Sequence, residues 1–345
     1  MHQEKLISIH LNSNRPQSFK NFITSLAENA SQYNSIEVIV NVDKGDEGML
    51  NIIEELNKNY PNLIKTIETE LIKSFSDAWK PLNILLKETS SSVRFISCMS
   101  DEIIFKTKNW DLVILNYFNF FKDNIFRIRC SKYKNEVYSD IWECGYKPDS
   151  YAFYTKKWLD LVGQWNPCIG PDTYQECISY YMNKYGIEYQ RNIVCNKIKF
   201  NGEEVSSGLS VKKRMERSRI YYKAFFKLMS YSVQKTANRL SFKIICEISN
   251  SNNIPAYIPI KRNKVYLTNF MRRFNFFYYR GAKQHIINTK MKNIIYMIWC
   301  YSNFLDKYLV KIINFLYNKN YLSKIIKNEK NLKEIENIIN NGKST

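Results

Sequence analysis

The chain has 345 residues, 45% hydrophobic and 15% aromatic, with 51 Lys and Arg against 32 Asp and Glu for a formal net charge of +19. It is longer than one average domain of ~100 to 200 residues, and its apolar content excludes wholesale disorder, a collagen-like fibre and a disulfide mini-protein. The charge is not uniform: residues 1–205 carry 24 basic and 26 acidic side chains, whereas residues 206–345 carry 27 basic and 6 acidic. Two units are therefore expected, a near-neutral one over 1–205 and a strongly cationic one over 206–345.

From Leu6 to Leu11 the residues alternate as in a strand, and NSNRPQ then supplies turn chemistry through Asn12, Ser13 and Asn14 before Pro16. Apolar residues at helical spacing follow at Phe19, Phe22, Ile23, Leu26 and Ala30. Ile36 to Val42 is a β-branched run of the kind buried in a parallel sheet, and it breaks at Asp43, Lys44, Gly45 and Asp46. A helix from Met49 to Asn59 is predicted to stop at Tyr60, because the residue before Pro61 is pushed out of the α region. A strand over Ile64 to Thr69, a helix over Asp77 to Thr89 and a strand over Val93 to Met99 come next. This alternation predicts an α/β fold, a mostly parallel sheet flanked by helices.

Farther on, the pattern predicts a helix over Trp110 to Phe121, a strand over Ile125 to Cys130 and a polar loop with Ser139, Asp140, Trp142 and Gly145. A strand over Tyr151 to Tyr154 and a helix over Lys157 to Val162 closed by Gly163 follow. The last predicted helix of this part opens at Pro171 and runs to Tyr185, before Gly186. GEEVSSG reads as a linker.

No secretory or transit signal is legible in MHQEKLISIHL, and the eight cysteines are scattered without CxxC pairs, so reduced thiols and a cytoplasmic chain are expected. Ile294 to Leu305 is interrupted by Asn303 and falls short of the ~20 residues that a membrane-spanning helix requires.

In open α/β sheets ligands bind at the carboxyl ends of the strands. Those loops carry Asn12, Ser13, Asn14 and Arg15 after the first strand, Asp43 and Asp46 after the second, and Ser100, Asp101 and Glu102 after the fourth. Adjacent carboxylates at the end of a buried strand repel one another and are costly to desolvate. A divalent cation, Mn or Mg, would relieve that repulsion and suits hard oxygen ligands. The three histidines are too dispersed for a His-based metal site, and His10 is expected to be packed within its strand. Trp110, Trp142 and Trp165 are candidates for stacking on a sugar ring or for ordinary core packing. No GxxxxGK[ST], GxGxxG or GxSxG occurs, so kinase, Rossmann dehydrogenase and serine hydrolase readings lose their usual support.

The stretch ISIHLNSNRPQSFKNFITSLAENASQYNSIEVIVNVDKGDE resembles the opening of the family-2-like GT-A glycosyltransferases, and VRFISCMSDEIIFKTKNWD resembles their strand with the acidic metal motif. The resemblance covers roughly residues 4–204. It implies a GT-A fold, a UDP- or GDP-type nucleotide-sugar donor, a sugar or lipid-linked acceptor, and a role in surface polysaccharide or glycolipid synthesis. Asp43 would receive the donor's base, with Asn12, Asn14 and Arg15 beside the same nucleotide. Asp101 and Glu102 match the second half of the family's Asp-x-Asp-Asp pattern and would hold the divalent cation. Met99 stands where the first Asp often stands, and Glu102 replaces an Asp. In inverting members an Asp or Glu near the start of a later helix deprotonates the acceptor. GPDTYQEC offers Asp172 for that part, with Glu176 one turn on as second candidate. Asp172 and Gln175 also spell a capping box, so both roles stay open.

Beyond residue 205, KKRMERSR, NFMRRFNFFYYRG and KNIIYMIWCYSNFLDKYLVKIINFLY interleave aromatic, aliphatic and basic residues at helical spacing. This fits helices lying on an anionic membrane surface and leads us to expect a peripheral protein at the inner face. The same pattern fits a nucleic-acid backbone reader, or helices packed on the first unit with their charges solvated. The membrane reading is preferred because enzymes of the resembled type often act on lipid-linked acceptors. The rival from another class is a catalytically inactive α/β scaffold with a polyanion-binding basic region.

Overall fold

The computed structural model describes residues 4–70, 77, 79–131, 134, 135, 138, 141–168, 170–202, 226–249, 254–263 and 265. The first half alternates strand and helix: β1 (Ile7–Asn12), α1 (Pro16–Asn29), β2 (Ile36–Asp43), α2 (Glu47–Asn59), β3 (Ile64–Thr69), α3 (Lys80–Lys87) and β4 (Phe95–Cys98). It continues through β5 (Ile103–Phe105), α4 (Trp110–Leu115), β6 (Arg127–Arg129), α5 (Glu143–Tyr146), β7 (Phe153–Thr155) and α6 (Lys156–Val162). Then come α7 (Pro171–Met182), β8 (Asn192–Val194), β9 (Phe200–Gly202) and α8 (Tyr231–Ile248).

Seven strands form one sheet in the order β3-β2-β1-β4-β7-β6-β8, and β5 pairs with β9 in a separate antiparallel pair. The β3-β2-β1-β4 half is parallel throughout. β7 enters antiparallel to both β4 and β6, while β6 and β8 run parallel. The sheet is thus mostly parallel with helices on both faces, the α/β architecture expected.

One face of the sheet packs Ile7, Ile9 and Leu11 of β1 and Val38, Val40 and Val42 of β2 against Phe19, Phe22, Ile23 and Leu26 of α1 and Met49, Ile53 and Leu56 of α2. The opposite face joins Ile39, Ile96 and Tyr154 to Leu82 and Leu85 of α3, Trp158 and Leu159 of α6, and Tyr174 and Ile178 of α7. A parallel sheet covered on both faces needs apolar residues on both, which is why Val38, Ile39 and Val40 of β2 are continuous. Removing this much apolar surface from water is the main favourable contribution, about 25 cal/mol per Å².

β1 departs from that rule, since Ser8 and His10 face the second core and are wholly buried. The Trp165 indole Nε1 donates to His10 Nδ1 at 2.9 Å, and Ser8 Oγ and Thr89 Oγ1 each lie 3.0 Å from Nε2. An indole only donates, so Nδ1 accepts and Nε2 carries the proton of the neutral ring. Burial pushes the His10 pKa down to about 3. His10 is therefore the packed strand residue expected.

One local expectation is corrected, and one open alternative is decided. The helix predicted over Trp110 to Phe121 ends at Leu115, and Asn119 and Asn124 both adopt positive φ, at 68° and 52°. Asn124 Oδ1 accepts from the Asn119 amide at 2.9 Å, so a side chain replaces the helical carbonyl. Trp110, Trp142 and Trp165 are at most 1% exposed, which makes them core residues with no face for a sugar ring.

α8 carries Lys235, Arg239 and Lys243 and belongs by charge to the basic part, yet it packs on α6 and α7. Val233, Ala237, Leu240, Ile244 and Ile245 join the second core. Ser241 Oγ donates to the Ile178 carbonyl at 2.7 Å, and Tyr181 Oη donates to Gln234 Oε1 at 3.0 Å. The change of charge near residue 205 is thus not followed by packing in residues 226–249. Residues 203–208 of the GEEVSSG stretch, KKRMERSR and all of residues 266–345 lie outside the described residues, while Gly202 ends β9. Among the described residues no helix is long and apolar enough to cross a membrane.

Candidate active site at the carboxyl edge of the sheet

The parallel strands β1, β2 and β4 deliver their loops to one edge. Ser13 extends the ladder, its amide donating to the Asn41 carbonyl at 3.2 Å. Its hydroxyl then donates to Asp101 Oδ2 at 2.7 Å, tying the loop after β1 to the loop after β4. Asn12 is half-buried at the end of β1, Asn14 is exposed, and Asp43 is half-buried at the end of β2. The chain turns after Asp43 through Gly45 at φ +82°, and Asp46 Oδ1 accepts from the Met49 amide at 3.0 Å to cap α2.

Arg15 lies across both carboxylates. Its Nε donates to Asp101 Oδ2 at 3.2 Å, its Nη2 to Asp101 Oδ1, and its Nη1 to Glu102 Oε1 at 2.7 Å. Two parallel N–H donors on one carboxylate form the bidentate pairing to which a guanidinium is suited. Partial burial works against the Arg15 charge, but the hydrogen bonds to Asp101 and Glu102 outweigh it and push the Arg15 pKa up. Asp101 is 2% exposed, and each of its oxygens already accepts from Arg15.

Arg15 is a partner for Asp101 and Glu102 that the sequence pattern did not name. The repulsion that called for a divalent cation is relieved by Arg15, which the fold brings from the first strand's loop. Among the described residues no three of His, Cys, Asp and Glu converge as a metal-binding group. The pair does not fit Mn or Mg while Arg15 stands in it.

Asp172 sits in the first turn of α7, half-buried. Gly170 in left-handed conformation is the residue before the helix, so Asp172 lies inside the helix and the capping box is not formed. Asp172 Oδ2 accepts from Ser150 Oγ at 3.0 Å and Oδ1 from the Thr173 amide at 2.8 Å. Gln175 points inward instead, accepting from Trp158 Nε1 at 2.9 Å and donating to the Trp165 carbonyl at 2.8 Å. Burial, and behind it the negative charge of Asp172, pushes the Cys98 pKa up. Asp172 thus lies within electrostatic reach of Cys98 at the end of β4.

Glu176 is elsewhere. It is fully buried, with Oε2 accepting from Arg127 Nη2 at 2.7 Å and Oε1 accepting from the Asp149 amide at 3.2 Å. Burial alone would raise its pKa, but the Arg127 and Arg129 charges outweigh it and hold Glu176 below the ordinary carboxylate value. A fully buried carboxylate paired this way offers no surface to an acceptor.

Around Glu176 the fold assembles a buried ionic group that pattern reading missed. Asp149 takes the Cys130 amide at 2.9 Å and the Ser131 amide at 3.1 Å, and Arg129 Nε lies 3.8 Å from it. Burial, followed by the neighbouring Glu176 charge, raises the Asp149 pKa. The available signal was IFRIRC, where two arginines alternate inside an apolar strand and must find buried acids.

No protein-family model matches the sequence, and no curated protein matches it. Solved structures of similar chain course include the mannosyltransferase PcManGT from Pyrobaculum calidifontis in complex with GDP-Man and Mn2+. It is 12% identical, with 92% of this chain and 89% of that chain covered at a TM-score of 0.48. S. aureus TarS 1-349 in complex with UDP-GlcNAc is 16% identical, with 87% and 80% covered at a TM-score of 0.47. At these values the likeness is one of chain course and carries no residue-level correspondence.

Proposed function

We propose that the protein is a glycosyltransferase moving a hexose from a UDP- or GDP-type nucleotide sugar to an acceptor hydroxyl, with inversion at the anomeric carbon. The observation that carries this reading is the hydrogen bond from Ser13 to Asp101 at the carboxyl edge, with Asp43 on the adjoining strand. A ligand seated there would touch three strand-end loops and the start of α7, the position an open α/β sheet gives to nucleotides.

In this reading Asp43 and the Asn12 to Arg15 turn hold the nucleoside end. Asp172 accepts the acceptor's hydroxyl proton as that oxygen bonds to the anomeric carbon. The bond from that carbon to the phosphate oxygen breaks, and its electron pair leaves on the nucleoside diphosphate. Ser150 and the Thr173 amide orient the carboxylate while its remaining lone pairs stay free for the proton. The acceptor is a sugar or lipid-linked hydroxyl in surface polysaccharide or glycolipid assembly. The basic part, 206–345, would hold the enzyme at the anionic inner face of the membrane.

Calorimetric titration of the full chain with UDP-glucose, UDP-N-acetylglucosamine and GDP-mannose tests the reading. Binding of at least one that weakens in Asp43→Asn supports it, and silence towards all three overturns it. Arg15 occupying the acidic pair favours one second reading, an inactive α/β scaffold. Donor binding without transfer to any acceptor would support that reading.

A further inference from the structure

The Asp101–Glu102 pair is balanced from within the chain. Arg15 uses three N–H groups on it, two on Asp101 and one on Glu102, and a further hydrogen bond comes from Ser13. Arg15 sits immediately before α1, whose first turn starts at Pro16 and whose Phe19 amide donates to the Arg15 carbonyl at 2.9 Å. The Arg15 backbone is therefore anchored at a helix start, and Asp101 is held almost entirely out of water. We propose that Arg15 is the resident counter-ion of this acidic pair and competes with divalent cations for it, so that the free protein binds such ions only weakly.

The physical ground is the number of contacts a cation would have to replace. Entry of an ion requires breaking a bidentate arginine–carboxylate pairing and leaving the guanidinium without its partners. Removing Arg15 reverses the balance, because two adjacent carboxylates, one of them buried, are then left uncompensated and attract a divalent ion. Arg15 thereby sets the charge of the donor edge before any nucleotide arrives. The inference concerns the free protein's charge balance and does not rest on transfer activity.

Mn2+ titration of the full chain, read by electron paramagnetic resonance of the free ion, tests it without any nucleotide. Wild type is expected to show no binding below about 1 mM, and Arg15→Gln at least ~10-fold tighter binding, because unpaired carboxylates recruit the ion. Asp101→Asn placed in the Arg15→Gln background should abolish the gain. Micromolar binding by wild type overturns the proposal, as does an Arg15→Gln protein that folds and gains nothing. Should Arg15→Gln not fold, Arg15→Lys provides the comparison. It keeps one charge but not the fork, and tighter binding than wild type is again expected, with no change counting against the proposal.

Discussion

Arg127 Nη2 and Glu176 Oε2 lie 2.7 Å apart with both side chains fully buried, joining β6, the strand beside the β8 edge of the sheet, to α7. Because neither group has water to fall back on, loss of one partner leaves a bare charge in the interior. Glu176→Gln is expected to lower stability by ~3 kcal/mol, within the range for breaking a buried pair. Replacing both partners, Arg127→Met with Glu176→Leu, should recover part of that loss. Urea denaturation of the three proteins checks this, and equal losses in single and double variants would contradict it.

Asp172→Asn is expected to keep nucleotide-sugar binding within about twofold and to lower turnover by ~10²-fold or more, the contribution of a positioned base. Titration and initial rates measured on the same preparation separate the two effects. Unchanged turnover would reduce Asp172 to a helix-terminal acid held by Ser150.

His10 makes stability depend on pH. Its pKa in the folded protein is about 3 against an ordinary 6.5, so between these values the unfolded chain binds a proton that the native protein does not. Stability is therefore complete above pH 6.5 and falls as pH is lowered towards 3. The slope contributed by this group approaches ~1.4 kcal/mol per pH unit. Urea midpoints at pH 7, 6 and 5 should fall more steeply in wild type than in His10→Gln. Parallel curves would show that the ring is not the titrating group.

The full chain is expected to sediment with vesicles containing anionic lipid, to release as salt is raised, and to ignore neutral vesicles, since each engaged Lys or Arg contributes ~1 kcal/mol. Retention on duplex DNA in preference to those vesicles would support the nucleic-acid alternative.

Much of the fold is legible in local pattern. The β3 bounds, Ile64–Thr69, coincide with the predicted strand, and β2 extends its prediction by one residue to Asp43. The boundaries fail where side chains compete with the backbone, as at Asn119 and Asn124, or where tertiary contact redirects a residue, as with Gln175 turning from a cap to the Trp158 indole. The candidate site was legible as a set of loop residues, because strand ends and turn chemistry are local. Its charge state was not, since the hydrogen bond from Arg15 to Asp101 spans 86 residues of chain.

The sequence by itself therefore determined the α/β alternation, the identity of the loops at the carboxyl edge, and the concentration of positive charge after residue 205. Only the tertiary structure decided that Arg15 neutralises Asp101 and Glu102, that Glu176 is spent on Arg127, and that α8 is part of the core despite its charge. Periodicity reports which face of an element is apolar, a property of neighbouring residues. Whether a carboxylate is free, paired or buried depends on which distant segment the folded chain sets against it.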